Sequence, residues 1–204
     1  MVPPDAPLAV PLVVVLSGPS GAGKDAVMLR MRERALPIAV PATMTTRAPR
    51  DGEVKGVHHV FVSRPEFERA LAGGELLEHA EVYGNLYGVP RSQVRAALAS
   101  GRHVIIRVDV QGAASLRRLL PGALFLFIVP DSIEHLEAHL RARGTEDEAA
   151  LQHRLAEARA ELDASAHFDH VLVNVDGDLD ATVDQAWALI EREAARPDRE
   201  PILV

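Results

Sequence analysis

The chain has 204 residues, 48% of them hydrophobic and 25% charged, with a formal net charge of -7 and no cysteine. That length suits one domain with a substantial core, and the missing cysteine excludes a disulfide scaffold, a thiolate metal centre and a thiol nucleophile. The acidic balance argues against a nucleic-acid coat or an anionic-membrane binder, although local basic pockets stay possible. No apolar run approaches the ~20 residues of a membrane span, and the N-terminus lacks the marks of a secretory signal. A cytoplasmic protein that engages neither nucleic acid nor membrane is expected, with its oligomeric state unreadable. Lys24 and Lys55 are the only lysines, which makes the position of Lys24 informative.

Residues 1–11 carry four prolines without a period and read as a frayed leader; residues 196–204 look like a flexible tail. Leu12–Leu16 reads as a buried strand, followed by a helix from Lys24 to about Ala35. Further strands are expected at His103–Val108, Leu124–Val129 and Val171–Val175. Helices are expected near Gly112–Leu120, Ile133–Arg143, Glu146–Ala164 and Leu179–Glu193. Strands with few polar interruptions, each followed by a helix, predict a three-layer α/β fold on a parallel sheet. Residues 43–90 break the rhythm with short alternating stretches and one helix (Pro65–Ala72), so a small mixed-sheet insert is expected there. The core then comprises residues 12–42, 91–140 and 159–195.

The sharpest signal is Gly18-Pro-Ser-Gly-Ala-Gly-Lys-Asp25, directly after a strand and opening a helix, the context of a phosphate-binding P-loop. Backbone N–H groups across Ser20, Gly21, Ala22 and Gly23 converge on phosphate oxygens, the helix N-terminus adds positive potential, and Lys24 reaches the outer phosphates. The loop normally ends in Ser or Thr, whose hydroxyl holds Mg²⁺. Here it ends in Asp25, a stronger Mg²⁺ ligand that repels phosphates when no metal is present. A second anion site is expected at Thr43-Met-Thr-Thr-Arg-Ala-Pro-Arg-Asp-Gly-Glu53, where Arg47 and Arg50 offer guanidinium forks. Leu76–Gly88 then carries acids and tyrosines on alternating strands.

Together these segments resemble the guanylate kinase family from Val13 to about Ile190. The likeness is carried by Ser17–Lys24, Thr45–Glu53, Glu78–Gly88, Asp109-Val-Gln-Gly112, Arg143-Gly-Thr-Glu146 and Val173-Asn174. The resemblance implies phosphorylation of GMP by ATP with Mg²⁺, residues 43–90 forming a GMP-binding subdomain and 141–158 a helical lid. It assigns Arg47, Arg50, Tyr87 and His59 to the GMP phosphate, and Glu78, Thr43 and Asp109 to the guanine side. Asn174 falls on the adenine side, while Lys24, Arg143 and Arg154 fall among the catalytic cations. The chemistry agrees independently: guanine presents N1–H and an N2 amino group side by side, and one carboxylate accepts from both. Adenine has no N1–H and would leave Glu78 unpaired, at roughly 1–3 kcal/mol or more. No general base is required, because the attacking GMP phosphate is already an anion.

Several positions depart from the family pattern. His59 stands in place of a phosphate-contacting tyrosine, His139 in place of a lid-side arginine, and Val89 in place of a Ser or Thr near guanine. Through His59, GMP affinity is expected to fall above pH ~6.5, the unperturbed histidine value. Arg107 stands where the first Asp of an Asp-x-Asp pair is common. Either Arg107 pairs with Asp25, or Asp25 ligates the metal and Arg107 points elsewhere; metal ligation is the favoured reading. Glu157 and Glu161 are read as a solvated helix face, as are His135 and His139. Two other functions compete: a non-catalytic module that holds a phosphorylated peptide, and a kinase acting on a ribose phosphate.

Overall fold

The computed structural model describes residues 10–50, 52–56, 59–82, 84–142 and 148–204. The parallel sheet contains β1 (Val13–Ser17), β2 (Ile38–Ala39), β7 (His103–Arg107), β8 (Leu124–Pro130) and β9 (His170–Asn174), in the order β2-β7-β1-β8-β9. Every pairing in it is parallel. Side chains alternate along a strand, so the apolar run of β1 serves both faces. Leu12, Val14 and Leu16 pack with Val27 and Met31 of α1 (Lys24–Glu33) and with Val183, Ala186 and Ile190 of α7 (Leu179–Ala194). Val13 and Val15 pack on the other face with Val94 and Ala97 of α3 (Arg91–Ala99) and Leu116 of α4 (Val110–Leu119). This double burial explains the near-continuous apolar run that marks such a strand.

The second sheet contains β3 (Thr43–Thr45), β4 (His59–Phe61), β5 (Leu76–Val82) and β6 (Asn85–Pro90), in the order β4-β3-β6-β5. It is mixed, with β3 parallel to β4 and antiparallel to β6. Its own small core is Phe67, Ala70 and Leu76, supported by Met44, Val62 and Leu86. Phe67 and Ala70 lie on α2 (Arg64–Ala72), whose start is fixed by a capping box: Glu66 accepts from the Ser63 N–H at 2.7 Å. The sequence signals missed β2, β3 and α3 and gave β6 no bounds of its own. The first two are only two and three residues long and lie between prolines, and β6 passes directly into α3 at Pro90 without a loop.

Helices α5 (Ile133–Ala142) and α6 (Glu148–Asp163) pack on one another through Leu136, Leu140, Leu155 and Ala158. Among the described residues, no helix is long and apolar enough to cross a membrane.

Candidate active site

In parallel α/β sheets the crevice lies beyond the carboxyl ends of the strands. Here β1 ends in the phosphate loop, β7 ends at Arg107 just before Asp109, and β9 ends at Asn174. The loop fits only with glycine at two points. Gly18 has φ 139°, and a Cβ there would lie 2.1 Å from the Ile128 carbonyl oxygen; Gly23 has φ 89°, and its Cβ would lie 2.2 Å from Asn174 Nδ2. Since the Ile128 carbonyl is sheet backbone and cannot yield, Gly18→Ala should cost about 3 kcal/mol or more. A lower urea midpoint at unchanged slope is the expected measurement.

Lys24 Nζ donates to the carbonyls of Gly18 (2.5 Å) and Pro19 (2.9 Å), so it lies folded over the loop. Asn174 Nδ2 donates to the Ala22 carbonyl at 3.1 Å, and Thr182 Oγ1 donates to Asn174 Oδ1 at 3.1 Å. Asn174 thereby ties the end of β9 to the loop. His139 places Nδ1 3.2 Å from the Gly21 carbonyl. His135 and His139 take different nearest partners: His135 Nδ1 lies 2.6 Å from Asp131 Oδ1, whereas His139 Nδ1 lies by the Gly21 carbonyl. Glu161 corrects a sequence reading. It is half-buried rather than on a solvated face, accepts a hydrogen bond from the Ser20 N–H, faces Lys24, and has its pKa raised mainly by burial.

A cavity of about 300 Å³ extends from this loop to the second sheet and is lined by Ser20, Gly21, Lys24, Thr43, Glu78, Asp109 and Glu161, among others. At its far end lies Glu78, 7% exposed on β5. Burial, and secondarily the negative charge of Asp109, push its pKa up to about 7. Asp109 caps α4, its Oδ1 accepting from the Gly112 N–H at 2.7 Å. Gly112 is the space-maker between the two acids: a Cβ there would meet Glu78 Oε1 at 3.0 Å and Asp109 Oδ1 at 3.2 Å. Val89, also on the cavity wall, is buried.

The adjoining cavity, about 460 Å³, is bordered by Arg47, Arg50, Glu53, His59 and Tyr87. Glu53, which sequence reasoning gave no role, organises this loop. It accepts from Arg47 Nη2 at 2.8 and 3.0 Å and from the Arg50 N–H at 2.7 Å. The Arg47 bond, then the Arg50 N–H, lower the Glu53 pKa to about 2. Arg47 is also hydrogen-bonded to Tyr87. The loop hydroxyls serve the backbone: Thr45 Oγ1 accepts from the Arg47 N–H at 3.2 Å and Thr46 Oγ1 from the Leu86 N–H at 2.9 Å.

His59 is 9% exposed, with Nδ1 3.3 Å from the Thr43 carbonyl. A carbonyl partner fixes Nδ1 as the protonated nitrogen of the neutral ring. Burial lowers its pKa, so the pH window expected for His59 moves below ~6.5.

Between the cavities Arg107 Nη1 donates to Asp25 Oδ1, the pairing that the sequence left as the less favoured arrangement. Arg143, His58, Tyr83 and the side chain of Arg154 lie outside the described residues. Among the described residues no cluster of three or more His, Cys, Asp or Glu is arranged to hold a metal ion.

A phosphate loop at the end of β1, faced across one cleft by an arginine-bearing loop and a buried carboxylate, defines a P-loop nucleoside monophosphate kinase. Comparison with known proteins gives the particular line. The guanylate kinase family model matches residues 11–193, and the chain belongs to that family. It is 45% identical over 173 residues to a guanylate kinase of Synechococcus sp. (strain CC9311), covering 85% of this chain and 90% of that one. It is 42% identical over 200 residues to guanylate kinase 2, chloroplastic/mitochondrial, of Oryza sativa subsp. japonica, covering 98% and 70%. The crystal structure of guanylate kinase from Anaplasma phagocytophilum superposes with a TM-score of 0.75 at 32% identity, covering 94% of this chain and 90% of that one.

Proposed function

We propose that this chain transfers the γ-phosphoryl group of ATP to GMP, giving ADP and GDP in the cytoplasm, with the donor on the phosphate loop and the acceptor against the second sheet. The observation that carries the acceptor assignment is Glu78, a buried carboxylate at the end of a cleft that begins at a phosphate loop. Ionised, it accepts from guanine N1–H and N2–H together, and the Thr43 hydroxyl donates to O6. Arg47, Arg50, Tyr87 and His59 take the GMP phosphate, with Glu53 holding Arg47 in place. Backbone N–H groups of residues 20–24, with the Lys24 ammonium, take the triphosphate. Asn174 lies where the adenine edge would pass, Asp109 supports the guanine side, and Arg143 and Arg154 close on the donor from the 141–158 segment acting as a lid.

Mg²⁺ fits the donor set. Asp25, Asp109 and Glu161 all border the cavity that contains the phosphate loop, and Mg²⁺ characteristically takes one or two carboxylates plus phosphate oxygens and water. Asp25 is the residue that would hold it, in place of the usual loop hydroxyl, through Oδ2, since Oδ1 accepts from Arg107. When bound, the ion neutralises charge on the phosphate oxygens. The phosphopeptide-module reading is not favoured: the phosphate loop keeps its glycines and its lysine, and the curated relatives are named as kinases.

A coupled ADP-release assay across GMP, AMP, UMP and ribose 5-phosphate tests the acceptor. GMP should exceed AMP by at least about 10²-fold in kcat/KM. Equal turnover of AMP, or preference for the sugar phosphate, contradicts the assignment.

A further inference from the structure

We propose that Arg107 is a catalytic cation that contacts the phosphoryl group in transit between the phosphate-loop cavity and the arginine-bordered cavity. The inference rests on the kinase reading above.

Arg107 ends β7, the strand beside β1, and is in register with Leu16 two residues before the phosphate loop begins. Its Nη1 reaches Asp25 in the first turn of α1, and its side chain remains 35% exposed. It borders both cavities. The described residues shared by the two walls are Asp25, Thr43, His59, Tyr87 and Arg107. Arg107 is the only arginine or lysine among these five. A permanent positive charge therefore stands where a donor anion on one side and an acceptor anion on the other would approach each other. Its charge is also felt across the cleft, where it contributes to keeping His59 neutral.

A guanidinium carries five N–H donors in a planar fork. Bonding to Asp25 through one nitrogen leaves the geometry of the fork suited to a second, phosphate-type acceptor. In the transfer, the bond from phosphorus to the ADP oxygen breaks with its electron pair leaving on ADP, while a GMP phosphate oxygen supplies the new bond. No proton needs to move, and the charge that grows on the equatorial and bridging oxygens is what a fixed cation stabilises.

A purely structural role is distinct and testable: Arg107 would merely neutralise the aspartate that replaces the loop's usual hydroxyl. Asp25→Ser removes that need while supplying the hydroxyl that phosphate loops ordinarily use for the metal. The comparison is therefore between D25S and D25S/R107Q. GMP phosphorylation by D25S/R107Q should fall at least tenfold in kcat below D25S, with the KM values for ATP and GMP within about threefold. D25S/R107K should recover part of that loss.

Titration calorimetry in EDTA, using adenosine and guanosine joined through five phosphates as the probe, supplies a metal-free readout. Affinity should drop at least tenfold from D25S to D25S/R107Q while GMP alone binds both alike. A kcat drop under tenfold, or unchanged affinity for the linked probe, overturns the proposal; if the glutamine variant does not fold, D25S/R107M makes the same comparison. Failure of the unsubstituted protein to phosphorylate GMP would count against the kinase reading, whereas an active parent with an indifferent R107Q change counts against Arg107 alone.

Discussion

Lys24→Met is expected to lower kcat by about 10³-fold while moving stability by only about 1–2 kcal/mol. The two effects separate because the ammonium has different partners in the two situations. In the structure it donates to the Gly18 and Pro19 carbonyls, and removing such bonds from a partly exposed loop is a modest loss. In the proposed reaction its charge faces the triphosphate, in a site where displacing water strengthens charge stabilisation. Methionine retains the length of the stem and removes the charge. Steady-state kinetics beside thermal melts make the measurement, and a kcat within tenfold of the parent would remove Lys24 from the chemistry.

Glu78→Gln is the second large effect. Gln keeps one acceptor oxygen but turns an NH₂ toward a guanine donor and loses the charge, so kcat/KM for GMP should fall roughly 10²-fold. The same substitution should reverse sign in stability. In the folded protein the Glu78 pKa stands at about 7, against an ordinary value of 4.5, because burial and then Asp109 disfavour the anion. That stability contribution is fully present below pH ~4.5 and is lost as pH rises through about 7, a difference of about 3 kcal/mol at most. E78Q should therefore be more stable than the parent at pH 8.5, with the advantage shrinking as pH falls to 5.

Binding runs the other way. Guanine needs the ionised carboxylate, so GMP affinity of the parent should rise between pH 6 and 8, with proton release. E78Q should retain only the part of the slope that belongs to the phosphate and to other groups. Identical pH profiles for parent and E78Q would contradict the role given to this side chain.

Much of this site was legible in the sequence because its parts are local. A phosphate loop needs glycines and a lysine at fixed spacing between a strand and a helix, and Gly18–Lys24 supplies them contiguously. The strands of the parallel sheet announced themselves because double burial leaves runs such as Val13–Leu16 nearly free of polar residues. The acceptor side depended on the family resemblance, since a glutamate on an alternating strand has the same sequence appearance whether it faces solvent or a buried cleft.

What remained hidden was long-range. Glu161 looked like one more acid on a charged helix; its contact with the Ser20 N–H depends on how α6 lies over the loop. Glu53 ended a turn-rich segment, and nothing in its spacing disclosed that it grips Arg47. Asn174 showed its position but not its bond to the Ala22 carbonyl, 152 residues away. Arg107 and Asp25, 82 residues apart, were noticeable as departures, yet only adjacency of β1 and β7 makes them a pair.

A crystal structure with GMP and a non-hydrolysable ATP analogue bound together tests the arrangement most directly. Guanine N1 and N2 should lie within hydrogen-bond distance of the Glu78 carboxylate, the GMP phosphate against Arg47, Arg50 and Tyr87, and the triphosphate along the N–H groups of residues 20–24. GMP seated away from Glu78, or a triphosphate that bypasses the loop, would contradict the account.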